Sequence, residues 1–288
     1  MLDEGAACGL SPHSAQVIKG KISWILQSAW GCVGRAAAQP LVSRAGGRKF
    51  LLPGGRAPPP ETHEWTPALQ DMTEFFRTLF RSLPPLRAFL GIPRRAPVVV
   101  YSDAQYSVDG RKGLGVIITD VESGASRMCG AEIPLDRLQW MDSFGTRKKQ
   151  RVNQCELLAL LGAVLTFGEV MRDREILVWV DNVPTLSAAV NGYSHAPEMA
   201  ALSNALHLRL AGLSARPYFR HVPGKANPAD IPSRIPIVRH GAGLAIDRSR
   251  FRAGDARVID GIGAVCQPML LPTSAQLSDL AHFIKCEV

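Results

Sequence analysis

The sequence predicts a mixed α/β domain preceded by helices, and three observations carry that expectation. Near position 97, apolar residues at helical spacing give way to short consecutive apolar runs. Beyond that point the predicted order is three strands, a helix, a strand, two helices, a strand and a short helix. Such an order makes a mixed α/β unit of common domain size. The third observation is a set of four carboxylates, Asp103, Glu156, Asp181 and Asp230, each beside or near the end of one of these elements.

The 288 residues, 46% of them hydrophobic, allow one large domain or two smaller ones with a real core. A net charge of +8 favours polyanionic partners such as nucleic acid. The cysteines (Cys8, Cys32, Cys129, Cys155, Cys266, Cys286) are scattered, with neither a CxxC pair nor Cys/His ligand spacing. That usage points to a reduced, intracellular protein without structural zinc, with no choice between cytoplasm and nucleus. The opening MLDEGAACGL carries acids and lacks the apolar stretch of a secretory signal. The apolar run at 157–168 is too short for a membrane span and reads as a buried helix, so no membrane partner is expected.

The chain divides into a helical segment at 1–43, a Gly/Pro/Arg-rich linker at 44–60, a second helical segment at 61–96, the α/β domain at 97–236 and a tail at 237–288. In the first segment Ser11-Pro12 is a cap and first-turn pair, and Val17, Ile18, Ile22, Ile25, Leu26 and Trp30 recur at helical spacing. Gly31 and Gly34 should end that helix before a short one at 35–41. Thr66-Pro67 opens the next helix, expected over 66–83, with Leu69, Met72, Phe75, Phe76, Leu79 and Phe80 on one side. This apolar face must pack on something, either the α/β domain or a neighbour absent from the chain.

Strands are expected at 98–101, 113–119 and 127–133, a helix at 153–171, a strand at 176–180, helices at 184–190 and 197–213, a strand at 216–222, and a short helix from 228. In the tail a short strand at 257–259 and a helix at 274–284 are expected, with no assigned role.

Asp103 and Asp181 each follow a run of consecutive apolar residues, as in strands buried on both faces. If those strands are parallel neighbours, both carboxylates emerge at one sheet edge. Glu156 sits among Cys155, Leu157, Leu158, Leu160 and Leu161 with no Lys or Arg at i+3 or i+4, so it faces an apolar surface or a metal. Asp230 falls in the acidic first turn of the helix that Asn227 and Pro228 introduce. Taken singly, each acid has an ordinary role as a turn or helix-start residue. Crowding all four together is costly unless cations neutralise them, which points to two divalent metals.

The stretches YSDAQ, NQCELLAL, WVDNVPTLSAAVNG and VPGKANPADIPSR, in that order and at these intervals, resemble the ribonuclease H domain of retroelement reverse transcriptases. The long-terminal-repeat and tyrosine-recombinase retrotransposons, with their closing "PGK-N-AD-SR" signature, are most similar. The resemblance covers about residues 97–234 and implies a ribonuclease H-like fold, a five-stranded mixed sheet flanked by helices. Residues 11–96 resemble, more weakly, the connection region that follows the polymerase in such elements. No Tyr-x-Asp-Asp motif occurs in the sequence, so by the resemblance this chain looks like the C-terminal remnant of a polyprotein or a fragmentary gene model.

The resemblance further implies that Asp103, Glu156, Asp181 and Asp230 are the metal-binding and catalytic carboxylates of an RNA–DNA hybrid endonuclease. Asp103 would bridge two Mg²⁺ ions (with Mn²⁺ as a substitute) about 3.5–4 Å apart, an all-oxygen site that suits these metals better than zinc. Asn153, Gln154 and Asn182 are candidate contacts to the hybrid's minor groove, Gln105 a weaker one. Arg147, Lys148, Lys149, Arg151 and Lys225 are candidate phosphate contacts. Where many family members carry a mobile histidine, this chain has Gly224 and Lys225, and His221 before them is expected to be structural. The alternative expectations are a catalytically silent nucleic-acid-binding remnant, or another nuclease or integrase of the same superfold.

Overall fold

Helix α1 (Pro12–Ala29) begins at Ser11, whose hydroxyl accepts the Ser14 N–H at 3.1 Å. It buries Ala15, Ile18, Ile22 and Leu26, one stripe at helical spacing. Gly31 and Gly34 follow in the left-handed region, with φ of 63° and 78°. Because the chain turns through these two glycines, α2 begins later than its expected 35–41 and spans Gln39–Ala45. Helix α3 (Pro67–Ser82) starts at Thr66, as its cap and proline predict. The computed structural model describes residues 9–46, 63–85, 95–107, 110–144 and 151–279, so most of the expected linker lies outside the described residues.

The apolar face of these helices packs on the α/β unit and shares one continuous core with it. Trp30 packs against Phe80 with the rings tilted and their centroids 5.4 Å apart, and donates its indole N–H to Leu83 O at 3.2 Å. The Gly34 N–H donates to the buried Asn204 Oδ1 at 3.1 Å, tying the helical segment to the domain.

The sheet begins with an antiparallel meander, β1 (Val98–Tyr106), β2 (Lys112–Asp120) and β3 (Ser126–Glu132). A short helix that the sequence reading passes over, α4 (Leu135–Asp142), buries only Trp140 and Met141, too few apolar positions to show a period. Helix α5 (Val152–Met171) follows, then β4 (Glu175–Val180), α6 (Val183–Asn191), α7 (Pro197–Gly212) and β5 (Arg216–His221). By length and composition α5 is apolar enough to cross a membrane, but it is the central core helix, covered by the sheet and α7. That is why it shows no polar face.

The tail is part of the same fold. After α8 (Asp230–Arg234) come a hairpin of β6 (Ile237–His240) and β7 (Gly243–Ile246), then α9 (Asp255–Ile262), β8 (Val265–Pro268) and α10 (Ser274–Ser278). The six-stranded sheet has the order β5-β4-β1-β2-β3-β8, with β4 and β5 parallel to β1 and β8 parallel to β3. The expected mixed sheet flanked by helices is therefore present, with one strand more than expected. β8 escapes sequence reading because it is a four-residue edge strand ending in proline, with Val265 exposed. Residues 257–259, expected as a strand, lie inside α9, which Gly254 and Gly263 bound with positive φ.

At the sheet end away from the carboxylates, the fully buried Arg174 donates to Ala96 O and Asp120 Oδ1, both at 2.6 Å. Among the described residues the cysteines Cys32, Cys129, Cys155 and Cys266 are free thiols.

Candidate active site

β1 and β4 are parallel neighbours, paired from Val98–Ile176 to Tyr101–Trp179. Asp103 lies two residues past that pairing in β1, and Asp181 one residue past the end of β4, so both leave the sheet at one edge. β1 runs on beyond Asp103 to Tyr106, so Asp103 is inside a strand and opposite Gly115 of β2. Helix α5 crosses this edge near its N-terminus and presents Glu156. One carboxylate oxygen each of Asp103, Glu156 and Asp181 lie within 4.8 Å of one another.

These acids sit in an environment that resists their charge. Burial, and then the neighbouring charges of Asp181 and Asp230, push the Asp103 carboxyl up to about 6, although its bond from Ser233 opposes the rise. Glu156 is 3% exposed and its Oε2 has no hydrogen-bond partner. Burial first, and Asp103 and Asp181 next, push its carboxyl up to about 10. Asp181 is raised as well, mainly by burial, while the Asn227 side chain bonds to it and lowers it. A cluster this buried cannot carry three negative charges by itself. Its donors are all hard carboxylate oxygens, one of them an orphan, which is the donor set that Mg²⁺ or Mn²⁺ favours.

Asp230 is the first residue of α8 and stands apart from the close trio, although its charge raises both Asp103 and Asp181. Its half-exposed side chain accepts from Arg234 Nε at 2.8 Å. The helix starts two residues later than the sequence suggests. Asn227 does not cap it but closes a turn, accepting the Ala229 N–H at 3.1 Å and donating to Ser102 O of β1 at 2.9 Å. Ser233 Oγ donates to Asp103 Oδ2, so α8 is fastened to β1 at the carboxylate itself.

This docking needs glycine. A Cβ on Gly113 or Gly115 of β2 would run into the backbone of Ser233, and on Gly115 also into Ala229 O. A Cβ on Gly130 of β3 would meet Pro232 O at 2.9 Å. Three bare backbone positions thus form the floor on which α8 lies.

Of the candidate nucleic-acid contacts, Asn153 and Asn182 flank the trio and bond to each other at 2.9 Å. Asn182 also caps α6 through the Thr185 N–H at 2.9 Å. Gln154 and Arg151 face inward, contrary to expectation. Gln154 donates to the buried Glu198 at 2.8 Å, and Arg151, 4% exposed, pairs with Asp142 at 2.6 Å. Both hold the start of α5, where a free cation or amide would be costly to bury. Gln105 is half-buried with its Oε1 unpartnered. Lys225 is exposed in the 3₁₀ turn Gly224–Ala226, and Arg147, Lys148 and Lys149 lie outside the described residues. His221 is exposed at the end of β5, paired with Val180 next to Asp181, and does not enter the core. Ser233, Asn227 and Arg234 all lie in the closing signature, where the sequence shows Asp230 and Lys225 as candidate site residues and gives no sign that these three hold the carboxylates.

No family model matches the chain, and no curated protein does. Solved structures similar to it include a ribonuclease H1 from the archaeon Halobacterium salinarum, at 18% identity over 46% of this chain and 91% of that one, with a TM-score of 0.37. Another is a ribonuclease H1 isolated from compost by metagenomics, at 23% identity over 46% and 90%, with a TM-score of 0.36. A third is the N-terminal ribonuclease H domain of a Mycobacterium tuberculosis protein fused to maltose binding protein, at 15% identity over 47% and 89%, with a TM-score of 0.34. Similarity at this level leaves the function to be argued from the site.

Proposed function

We propose that this chain is a metal-dependent endonuclease that hydrolyses the RNA strand of RNA–DNA hybrids, and that it derives from a retroelement reverse transcriptase. The observation that carries the reading is the close trio of buried Asp103 and Glu156 with half-buried Asp181, and a Glu156 oxygen that has no hydrogen-bond partner. The ordered motifs and their closing signature support the choice of substrate and origin.

Asp103, Glu156, Asp181 and Asp230 would hold two Mg²⁺ ions, or Mn²⁺ in their place. When bound, these supply an activated water and charge stabilisation at the phosphodiester. The chain's own part is to fix the ligands: Ser233 holds Asp103, and Asn227 holds Asp181 while bracing Ser102. Asn153 and Asn182 are proposed to read 2′-hydroxyls beside the scissile bond. Lys225, with Arg147, Lys148 and Lys149, is proposed to grip phosphates. Gln154 and Arg151 would act only indirectly, by setting the pose of α5. The connection-like helices suit a partner polymerase domain on a separate stretch of polyprotein.

The test is incubation of the full chain with labelled RNA–DNA hybrid, duplex RNA and duplex DNA in Mg²⁺ or Mn²⁺. Cutting of the RNA strand in the hybrid alone is the expected result. Binding of the hybrid without cutting would favour the silent remnant, and cutting of duplex DNA would favour another nuclease of the superfold.

A further inference from the structure

Arg234 joins the candidate site to a part of the chain that no motif covers. Its side chain, 9% exposed, forks between two acids: Nε donates to Asp230 Oδ2 at 2.8 Å, and Nη2 to Asp255 Oδ1 at 2.7 Å. Asp255 is the first residue of α9 and is equally buried. Its other oxygen accepts the Arg252 N–H at 2.7 Å, which fixes its orientation. The same contact region is sealed by a small separate core in which Ile231 and Ile235, flanking Arg234, pack with Ile246 and Ile259 of the tail.

Asp230 needs such support. It belongs to a helix of five residues, too short to hold its own shape, and its side chain is 49% exposed, so packing does not choose its rotamer. A guanidinium serving Asp230 alone would also neutralise it and compete with any cation. Sharing the guanidinium with Asp255 leaves Asp230 part of its charge while still fixing its direction. A lysine would serve less well, because its ammonium is a point charge on a flexible stem and lacks the planar fork that fixes two directions at once.

We infer that Arg234 and Asp255 are positioning residues for Asp230, so that the tail helix α9 is a working part of the candidate metal site. This rests on the nuclease reading above. Without the charge on Asp255, Arg234 turns its whole charge on Asp230 and weakens cation binding there.

The test compares wild type with Asp255→Asn and Arg234→Lys in the full chain. One measurement is calorimetric titration with Mn²⁺ alone, the other steady-state cleavage of a hybrid. In both variants Mn²⁺ affinity and kcat should fall about tenfold, as for groups that orient metal ligands, with KM for the hybrid unchanged. With Arg234→Gln measured beside it, the double variant Arg234→Gln/Asp255→Asn should show the same Mn²⁺ affinity and kcat as Arg234→Gln alone, since Asp255 acts through that side chain. A purely structural ion pair would lower the melting temperature and leave the Mn²⁺ isotherm and kcat of the folded variants as in wild type, which would overturn the inference. Additive losses in the double variant would overturn it as well. Should Asp255→Asn fail to fold, Arg234→Lys alone decides between these outcomes. Wild type that binds Mn²⁺ but cuts no hybrid would sink the nuclease reading while the isotherms still decide this one. Wild type that binds no Mn²⁺ would overturn both.

Discussion

Ser233 donates its hydroxyl to Asp103 across 130 residues of sequence, and this bond fastens the last helix of the closing signature to the middle of the first strand. Both residues are buried, so the bond fixes two parts of the site relative to each other. Replacing Ser233 by alanine leaves the Asp103 carboxylate without its side-chain donor. The variant should lose about 1–2 kcal/mol of stability and about tenfold in kcat. Urea unfolding and hybrid cleavage check the two effects separately.

Gly115→Ala should be more damaging than its size suggests. The added methyl has backbone on its open side, at Ser233 N and Ala229 O, and backbone cannot rotate away. The helix α8 must lift, carrying Ser233 and Asp230 with it. We expect a loss of about 3 kcal/mol together with most of the activity. The control is Gly124→Ala in the β2–β3 turn, which has open space around it but φ of 69° and so tests backbone strain without touching the site.

The carboxylate cluster makes stability depend on pH in a defined direction. Asp103 and Glu156 titrate in the folded chain at about 6 and about 10, above their ordinary values of 3.8 and 4.5. Groups with raised folded values favour the fold when protonated, so their contribution is complete below about pH 4. It is lost as pH rises through 6 for Asp103 and onward toward 10 for Glu156. Metal-free protein should therefore melt at lower temperature at pH 8 than at pH 5 as far as this cluster is concerned. Mn²⁺ displaces those protons, so it should raise the melting temperature more at pH 8. Thermal scans at the two pH values, with Asp103→Asn/Glu156→Gln as reference, measure the difference.

Arg174 gives a stability prediction away from the site. Its guanidinium is fully buried and its strongest charge partner is Asp120, whose carboxyl the Arg174 bond holds well below the usual range. Arg174→Ala leaves Ala96 O and Asp120 without their donor and should cost about 3–5 kcal/mol. The Asp120 contribution is present above pH 4 and fades as pH falls toward its depressed value, so the gap between variant and wild type should be smaller at pH 2 than at pH 7, leaving the part that comes from Ala96 O. Chemical unfolding at pH 7 and pH 2 checks both points.

Much of this was legible in the residues. Consecutive apolar runs at 98–101 and 176–180 marked central strands, and the parallel pairing of β1 with β4 brings Asp103 and Asp181 to one edge as anticipated. The Ser-Pro and Thr-Pro pairs located the starts of α1 and α3. What the pattern did not carry was long-range. Gln154 and Arg151 look like surface polar residues until Glu198 and Asp142 fold over them. The glycines of β2 carry no local sign of their role, and only the docking of α8 shows why no side chain fits there. β8 has too few residues to display alternation, and α9 has one buried isoleucine and one buried aspartate, so neither announces itself locally. Asp255 could not be paired with Arg234 by any spacing rule, since the turn between them is set by the hairpin of β6 and β7.

A catalytic metal site at Asp103, Glu156 and Asp181 has one decisive consequence: loss of a single ligand abolishes metal-dependent cutting. The most direct measurement is cleavage of a labelled RNA–DNA hybrid in Mg²⁺ by wild type and by Asp103→Asn, each checked for folding by circular dichroism. The account predicts metal-dependent cutting of the RNA strand that the folded variant loses. Equal cutting by the two proteins, or none by a folded wild type that binds the hybrid, would contradict it.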